Sequence, residues 1–408
     1  MSLSPSLLAS ESPPPEETLS FPQGTMSSDL LSNLQARDCI SFPDPSAPSL
    51  TNPIYPLFSA RNFAELSKKE YAFIEPSLRL ASRFVTDETM MPFWTRVHHG
   101  EIATEWRSGE EVRFYKDSEH TSDAEDSEKE DAKDKADKAR KEKETRSALG
   151  KIARHLKIVS MSKSMAKEHN DAIAEAFLEG SDFRIGMHPN VKKYITTTSA
   201  DKEADVCETM RFQLLLTRTL IREIVHLFYY HTHKDSVLFA EPFWDADEQD
   251  VDAEEADLGG SWELFAFACK LNSFPALAAN TPAKSLFLHT KHTVETGVDT
   301  LLTHTTILPM DWINKWFLQS TWDHIHEEGR TEGRSQIGSA PVLAGTDIEG
   351  EEDRFHWVLE KYDHVELARH GGFQTGNEDD VEWLYGRLGG AEGGVEPDAE
   401  GGDAYVVD

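Results

Sequence analysis

The sequence predicts an α+β, helix-rich fold in which a small sheet precedes one long helix, interrupted and flanked by disordered acidic segments. Three observations predict it. Apolar residues recur at helical spacing from about Ala204 to Tyr230, with Phe212, Leu215, Leu216, Leu220, Ile224 and Leu227 along one side. Short runs rich in β-formers, His155–Val159, Phe183–Met187 and Val191–Thr196, read as strands, the last two joined through His188-Pro-Asn. The 9 Trp and 21 Phe require an interior, yet only 38% of the 408 residues are hydrophobic, 28% are charged and the net charge is −32. Apolar residues ordinarily make up about 45–50% of a globular chain, so a real core must share this one with acidic segments that cannot bury themselves.

Taken in order, residues 1–55 are rich in Ser, Pro and Leu, and runs such as Ser12-Pro-Pro-Pro15 and Pro43-Asp-Pro-Ser-Ala-Pro48 predict a disordered arm. Residues 56–115 form the helical N-terminal part of the core, carried by Tyr55-Pro-Leu-Phe, Phe63-Ala-Glu-Leu, Ile74–Phe84 and Phe93-Trp94. Residues 116–147 are mostly Asp, Glu, Lys and Arg with no apolar face, which predicts a solvated, disordered insert; its Lys138–Lys143 cluster is a short basic signal interrupted by acid. The core spans 148–330. It contains a helix over Ala166–Glu179, the long helix, an acidic loop at 245–257, and a helix over Trp262–Leu271 with Ser261 as N-cap. An aromatic-rich helix over Leu308–Trp322 completes it. Residues 331–372 form a C-terminal extension whose last folded piece is Arg354–His370, and 373–408 an acidic Gly-rich tail.

The acidic balance repels phosphate backbones and anionic membranes, so neither nucleic acid nor a membrane is an expected partner. No stretch approaches the ~20 apolar residues of a membrane span, the start lacks a basic signal-peptide region, and Cys39, Cys207 and Cys269 fit reduced thiols. An intracellular protein, cytoplasmic or nuclear, is expected. No P-loop, dinucleotide fingerprint or nucleophile elbow occurs. Cys207 and Cys269 read as core thiols and Trp312 with Trp316 as a buried helix face.

Inside the long helix stands Arg222-Glu-Ile-Val-His226, which differs at its first position from the zinc-peptidase pattern H-E-x-x-H. In that pattern two His four apart bind zinc from one helix face, and the Glu acts as general base toward a metal-bound water. Three further blocks accompany it: Glu241-Pro-Phe-Trp, Asp257-Leu-Gly-Gly-Ser-Trp-Glu263 and Pro309-Met-Asp-Trp-Ile-Asn-Lys-Trp-Phe317. Together with Leu78–Phe84 and Pro92-Phe-Trp they resemble a largely uncharacterised fungal family of zincin-like (SprT-like, HExxH-type) metallopeptidases across about residues 60–325.

The resemblance implies a zincin-like domain with Glu223 at the general-base position, His226 at the second metal-ligand position, and Glu263 or Glu241 as a third, carboxylate ligand. Arg222 departs from it. A guanidinium has no lone pair for a metal and repels a divalent cation, which leaves fewer than the three protein ligands of catalytic zinc. Arg222 is then a metal-replacing cation paired with Glu263 or Glu241, no cofactor is expected, and the protein is a non-catalytic relative retaining a peptide- or protein-binding groove. The alternatives are an active zinc metallopeptidase using substitute ligands, and an acidic intracellular interaction protein unrelated to peptidases. Substitute histidines would come from His98-His99, His231-Thr-His233, His289-x-x-His292 or His324-x-His326. His226 and His233 lie roughly 10 Å apart along the helix, too far to share one ion.

Overall fold

The computed structural model describes residues 35, 38–42, 45–107, 110–116, 127–168, 173–179, 182–233, 241–244, 257–267, 270–273, 288–295, 301–329, 344–348, 355–359 and 405–407. Ser67 starts α1 (Lys68–Thr86) with a capping box: its hydroxyl accepts from the Glu70 amide while the Glu70 carboxylate accepts from the Ser67 amide at 2.7 Å. The α1 face carrying Ile74, Leu78, Ala81, Phe84 and Val85 is buried. Helix α2 (Met91–His99) and the antiparallel hairpin β1 (Ile102–Arg107) and β2 (Glu110–Tyr115) follow.

Helix α3 (Ser127–His155) begins inside the segment expected to be disordered. Its residues from Lys133 to Lys143 are mostly exposed, and i,i+4 pairs such as Arg140 with Glu144 at 2.9 Å lie along it. The apolar residues that dock it, Ala148, Leu149, Ile152 and Ala153, stand just beyond the charged run, and the helix extends N-terminally from that anchor.

Strand β3 (Leu156–Ser160), helix α4 (Lys163–Glu168), β4 (Ala174–Glu179) and β5 (Asp182–Met187) build a three-stranded sheet of order β3-β5-β4. β3 runs parallel to β5 and β4 antiparallel to it, with Ala176 opposite Ile185. The single helix expected over Ala166–Glu179 is thus divided between α4 and β4: helix-forming Ala and Glu yield to pairing with β5. The strand expected at Val191–Thr196 is α5 (Pro189–Ala200) instead, because Pro189 opens a helix and the His188 side chain accepts from the Asn190 amide.

Asp205 caps α6 (Val206–Thr232), the long helix, by accepting from the Glu208 amide at 2.7 Å. Almost every residue from Met210 to Ile221 is buried, so α6 is a central helix rather than a surface one. α1, α2, α3 and β4 pack on it, as do α7 (Leu258–Phe267) and α8 (Met310–Lys315). The run expected as one helix over Leu308–Trp322 breaks at Trp316–Leu318 into α8 and α9 (Gln319–Glu328). Phe84 lies at the hub of the aromatic core, with ring centroids 5.2 Å from Trp262, 5.3 Å from Phe267, 5.6 Å from Trp316 and 5.2 Å from Trp322.

The arm expected to be disordered through residue 55 docks from Asp38 onward. The Met310 amide donates to the Asp38 carbonyl, buried Arg211 donates to the Ile40 carbonyl, Asn314 bonds Ser46 through both amide atoms, and the Tyr55 amide donates to Ser82 Oγ. This strap is held by long-range bonds to its backbone, which satisfy a Pro-rich segment whose described residues from Asp38 to Tyr55 form no helix or strand. Strands β6 (Asn272–Ser273), β7 (Leu288–Glu295), β8 (Leu301–Ile307), β9 (Ala344–Ile348), β10 (Phe355–Leu359) and β11 (Tyr405–Val407) form a second, antiparallel sheet in the order β11-β10-β9-β8-β7-β6. Residues 1–34, 117–126 and 373–404 lie outside the described residues, as do Cys269 and all of the acidic loop but Asp257. The α+β, helix-rich class holds, and no helix among the described residues is long and apolar enough to cross a membrane.

Candidate functional site around Arg222 and His226

Arg218, Arg222 and His226 stand four apart on α6 and therefore share one face of it. Three carboxylates meet them. Arg218 Nε lies 2.7 Å from Glu263 Oε1; Arg222 Nη2 lies 2.5 Å from Asp257 Oδ2, with Nη1 3.5 Å from Glu263; and His226 Nδ1 lies 2.6 Å from Glu241 Oε1. The second ring nitrogen of His226 is 3.7 Å from Asp257 Oδ1. Arg222 thus pairs first with Asp257, an acid outside the expected pair, secondarily with Glu263, while Glu241 goes to His226.

The acids are held by the start of α7. Asp257 accepts from the Gly260 amide at 3.0 Å, the geometry of an N-cap, so the helix starts three residues before the expected cap Ser261. Glu241 accepts from the Leu258 amide at 2.8 Å, and both acids gain from the positive end of the helix dipole. Gly259 permits the close approach of α7 to α6: a Cβ there would lie 2.3 Å from Arg222 Cγ and 3.0 Å from His226 Nε2. Glu241 is further fixed by its neighbours. Trp244 stacks on Phe93 at 4.6 Å and under the Arg96 guanidinium at 4.4 Å, while Phe243 is bridged to β2.

The charges compensate one another. Burial favours the neutral ring of His226, but the hydrogen bond it donates to Glu241 and the charges of Glu241, Glu223 and Asp257 outweigh it and lift its pKa to about 9. Burial likewise opposes the charge on Arg222, yet Asp257 and Glu263 push its pKa upward. Burial would raise Asp257, and the adjoining Arg222 and His226 carry it below the usual carboxylate range. Glu223 behaves differently: burial pushes it up and dominates over His226 and Arg222. Three cationic side chains therefore oppose three carboxylates, with the fourth acid driven toward its neutral form.

Glu223 is buried, and its Oε2 accepts from the Ala176 amide of β4 at 2.7 Å. That bond ties the motif helix to the edge strand of the sheet. Glu263 is fully buried, its second oxygen taken by the Leu271 amide, so it serves the α6–α7 pairing and is not part of the donor cluster around His226. That cluster consists of His226, Glu241 and Asp257, whose donor atoms all lie within 4.8 Å of one another. As arranged the three are engaged with one another and with the protein: His226 Nδ1 bonds Glu241, and Asp257 bonds Arg222 and the Gly260 amide.

The other histidines lie elsewhere. His98 and His99 end α2, His231 and His233 lie at the end of α6, and His324 and His326 sit half-buried and exposed on α9. The His289/His292 pair falls on β7, of which the backbone alone is described. Sequence reasoning missed Arg218 and Asp257. The signal for Arg218 was its spacing of four from Arg222; for Asp257 it was a position three before Gly260, the offset of an N-cap. Comparison with protein-family models, curated proteins and solved structures gives no match for this chain.

Proposed function

We propose that this chain is a non-catalytic relative of zincin-like metallopeptidases, in which a guanidinium takes the place of the metal and extended peptide or protein segments are bound without hydrolysis. The observation that carries the reading is the Arg222–Asp257 pair at 2.5 Å, which puts a permanent cation among the donors that would otherwise surround an ion. Two features support it. His226 has no free lone pair while protonated. Glu223, at the general-base position, has its Oε2 engaged by the Ala176 amide and is held against β4. Because β4 is an edge strand of its sheet among the described residues, the part of its rim beyond the Ala176–Glu223 bond is where an extended segment would add, as in other strand-addition complexes.

The test measures zinc by elemental analysis, then cleavage and binding of an unfolded fluorescent protein substrate. Less than a tenth of a zinc per chain on the order-of-magnitude scale of an adventitious metal, with binding and no cleavage, is the expected result. A second reading, an active metallopeptidase with substitute ligands, is favoured by the mutual approach of His226, Glu241 and Asp257 within 4.8 Å. Cleavage that is lost on chelation and in Glu223→Gln would establish that reading. Neither binding nor cleavage would leave the acidic interaction protein unrelated to peptidases.

A further inference from the structure

A second cluster of titratable groups lies away from Arg222, where α2, α3 and α6 meet. His98 and His99 end α2, and their rings lie 3.9 Å apart between centroids. His98 Nδ1 is 3.2 Å from the hydroxyl of fully buried Thr145 on α3, its ring packs edge-on against Phe228 of α6 at 5.8 Å, and His99 Nε2 lies 3.6 Å from Glu144 on α3. The position along α3 matters. Residues from Lys133 to Lys143 are mostly exposed, and buried contacts begin at Thr145, so the two histidines hold the first docked turn of that helix.

We propose that the His98–His99 stack is a pH-sensitive latch: neutral rings dock the Glu144–Thr145 turn of α3 onto α2 and α6, and protonation releases that turn. The groups facing the pair give it this sign. From α6 come His231 and His233; from α3 come Glu144 and, toward His99, Lys141 and Arg140. Glu144 is the single acid among these named groups, and it already lies 2.9 Å from Arg140. On α2 itself, Arg96 is turned to Trp244, and Arg113 of β2 reaches the Tyr229 hydroxyl at 3.3 Å, adding positive charge beside His233. Two imidazolium rings in stacking contact would repel each other, with Lys141 and Arg140 beside His99 and Glu144 the single acid among these groups, and with a buried hydroxyl and an aromatic edge in place of water.

The direction of the linkage agrees. Burial, and then the neighbouring rings of His99 and His233, push the His98 pKa down to about 4, and burial lowers His99 as well. A histidine freed from the interface returns to about 6.5. The undocked form therefore binds more protons between these values, and docking is complete above about pH 6.5 and weakens as the pH falls toward 4.

The test is hydrogen exchange of the whole protein at pH 7.5 and pH 5.0, corrected for the intrinsic pH dependence of exchange. Amides over residues 140–149 should exchange on the order of tenfold faster at pH 5.0 while those of the α6 core do not change. His98→Gln/His99→Gln should dock α3 at pH 7.5 and lose the difference between the two pH values. If that double variant fails to dock, Glu144→Gln gives an independent reading, since removing the one facing acid should move release to higher pH. Equal protection of the wild type at both pH values would overturn the latch. So would an unchanged pH response in the double variant.

Discussion

Arg222 and Asp257 meet at 2.5 Å between a central helix and the N-cap of its neighbour, each about a third exposed. Partial exposure tempers what this pair contributes. Arg222→Ala should cost about 1–3 kcal/mol in urea unfolding, less than for a fully buried pair, because water can reach the abandoned carboxylate. Arg222→Met should cost nearly as much, since it keeps the stem and loses the charge. A loss below about 0.5 kcal/mol would mean the pair is ordinary surface chemistry.

Arg218 and Glu263 lie deeper. Glu263 is fully buried and its two oxygens are taken by Arg218 and the Leu271 amide, so Arg218→Ala leaves a buried charge with one partner fewer. Unfolding should show a loss of roughly 3–5 kcal/mol, exceeding that of Arg222→Ala. Reversal of this order would contradict the burial that separates the two pairs.

These two arginines also mark how far the sequence could be read. The course of α6 was legible because Phe212, Leu215, Leu220, Ile224 and Leu227 repeat at 3.6-residue spacing, and β3 and β5 because their β-branched and aromatic residues alternate with polar ones. β4 was not, since Ala174-Glu-Ala-Phe-Leu-Glu has helical composition and becomes a strand only through β5. The strap from Asp38 to Tyr55 has no periodicity to find, because its partners Met310, Arg211 and Asn314 are distant in sequence. At the site, one-helix relations such as that of Glu223 to His226 were visible. The choice of Asp257 over Glu263 or Glu241 as first partner of Arg222 depended on where α7 begins, which a cap fixes only once the helices have met.

His226 gives a pH signature. Its pKa is about 9 in the folded chain against roughly 6.5 unfolded, so the folded state binds the extra proton between these values. The stabilisation is fully present below about pH 6.5 and is lost as the pH rises through 9. Denaturant midpoints should fall between pH 7 and pH 9.5, and the fall should shrink in His226→Gln. An identical fall in that variant would assign the effect to other groups.

Zinc offers a test of the substitution at position 222. Arg222→His restores the H-E-x-x-H spacing and frees Asp257, beside Glu241, to act as a third ligand. The metal-free variant should melt below the wild type, and zinc at a hundred times its Kd should return about 2.7 kcal/mol, a rise of several degrees. Wild type and Arg222→Ala should show little response. No zinc-dependent rise in Arg222→His would mean that His226, Glu241 and Asp257 cannot be rearranged around an ion.

The close approach at Gly259 allows a direct measurement of coupling between α6 and α7. A Cβ at 259 would lie 2.3 Å from Arg222 Cγ, a carbon near the root of the side chain whose displacement would drag the guanidinium away from Asp257. Gly259→Ala alone should therefore destabilise, even though Ala in the first turn of a helix ordinarily gains up to about 1 kcal/mol over Gly. In an Arg222→Ala background the obstructing carbon is absent; what remains is His226 Nε2 at 3.0 Å and Asp257 Oδ1 at 3.1 Å, the ends of side chains that can turn aside. The second substitution should then be close to neutral, giving a coupling energy of about 1–3 kcal/mol in a double-mutant cycle. Additive losses would show that α7 does not rest against Arg222, and would remove the geometric basis for a guanidinium in the place of a metal.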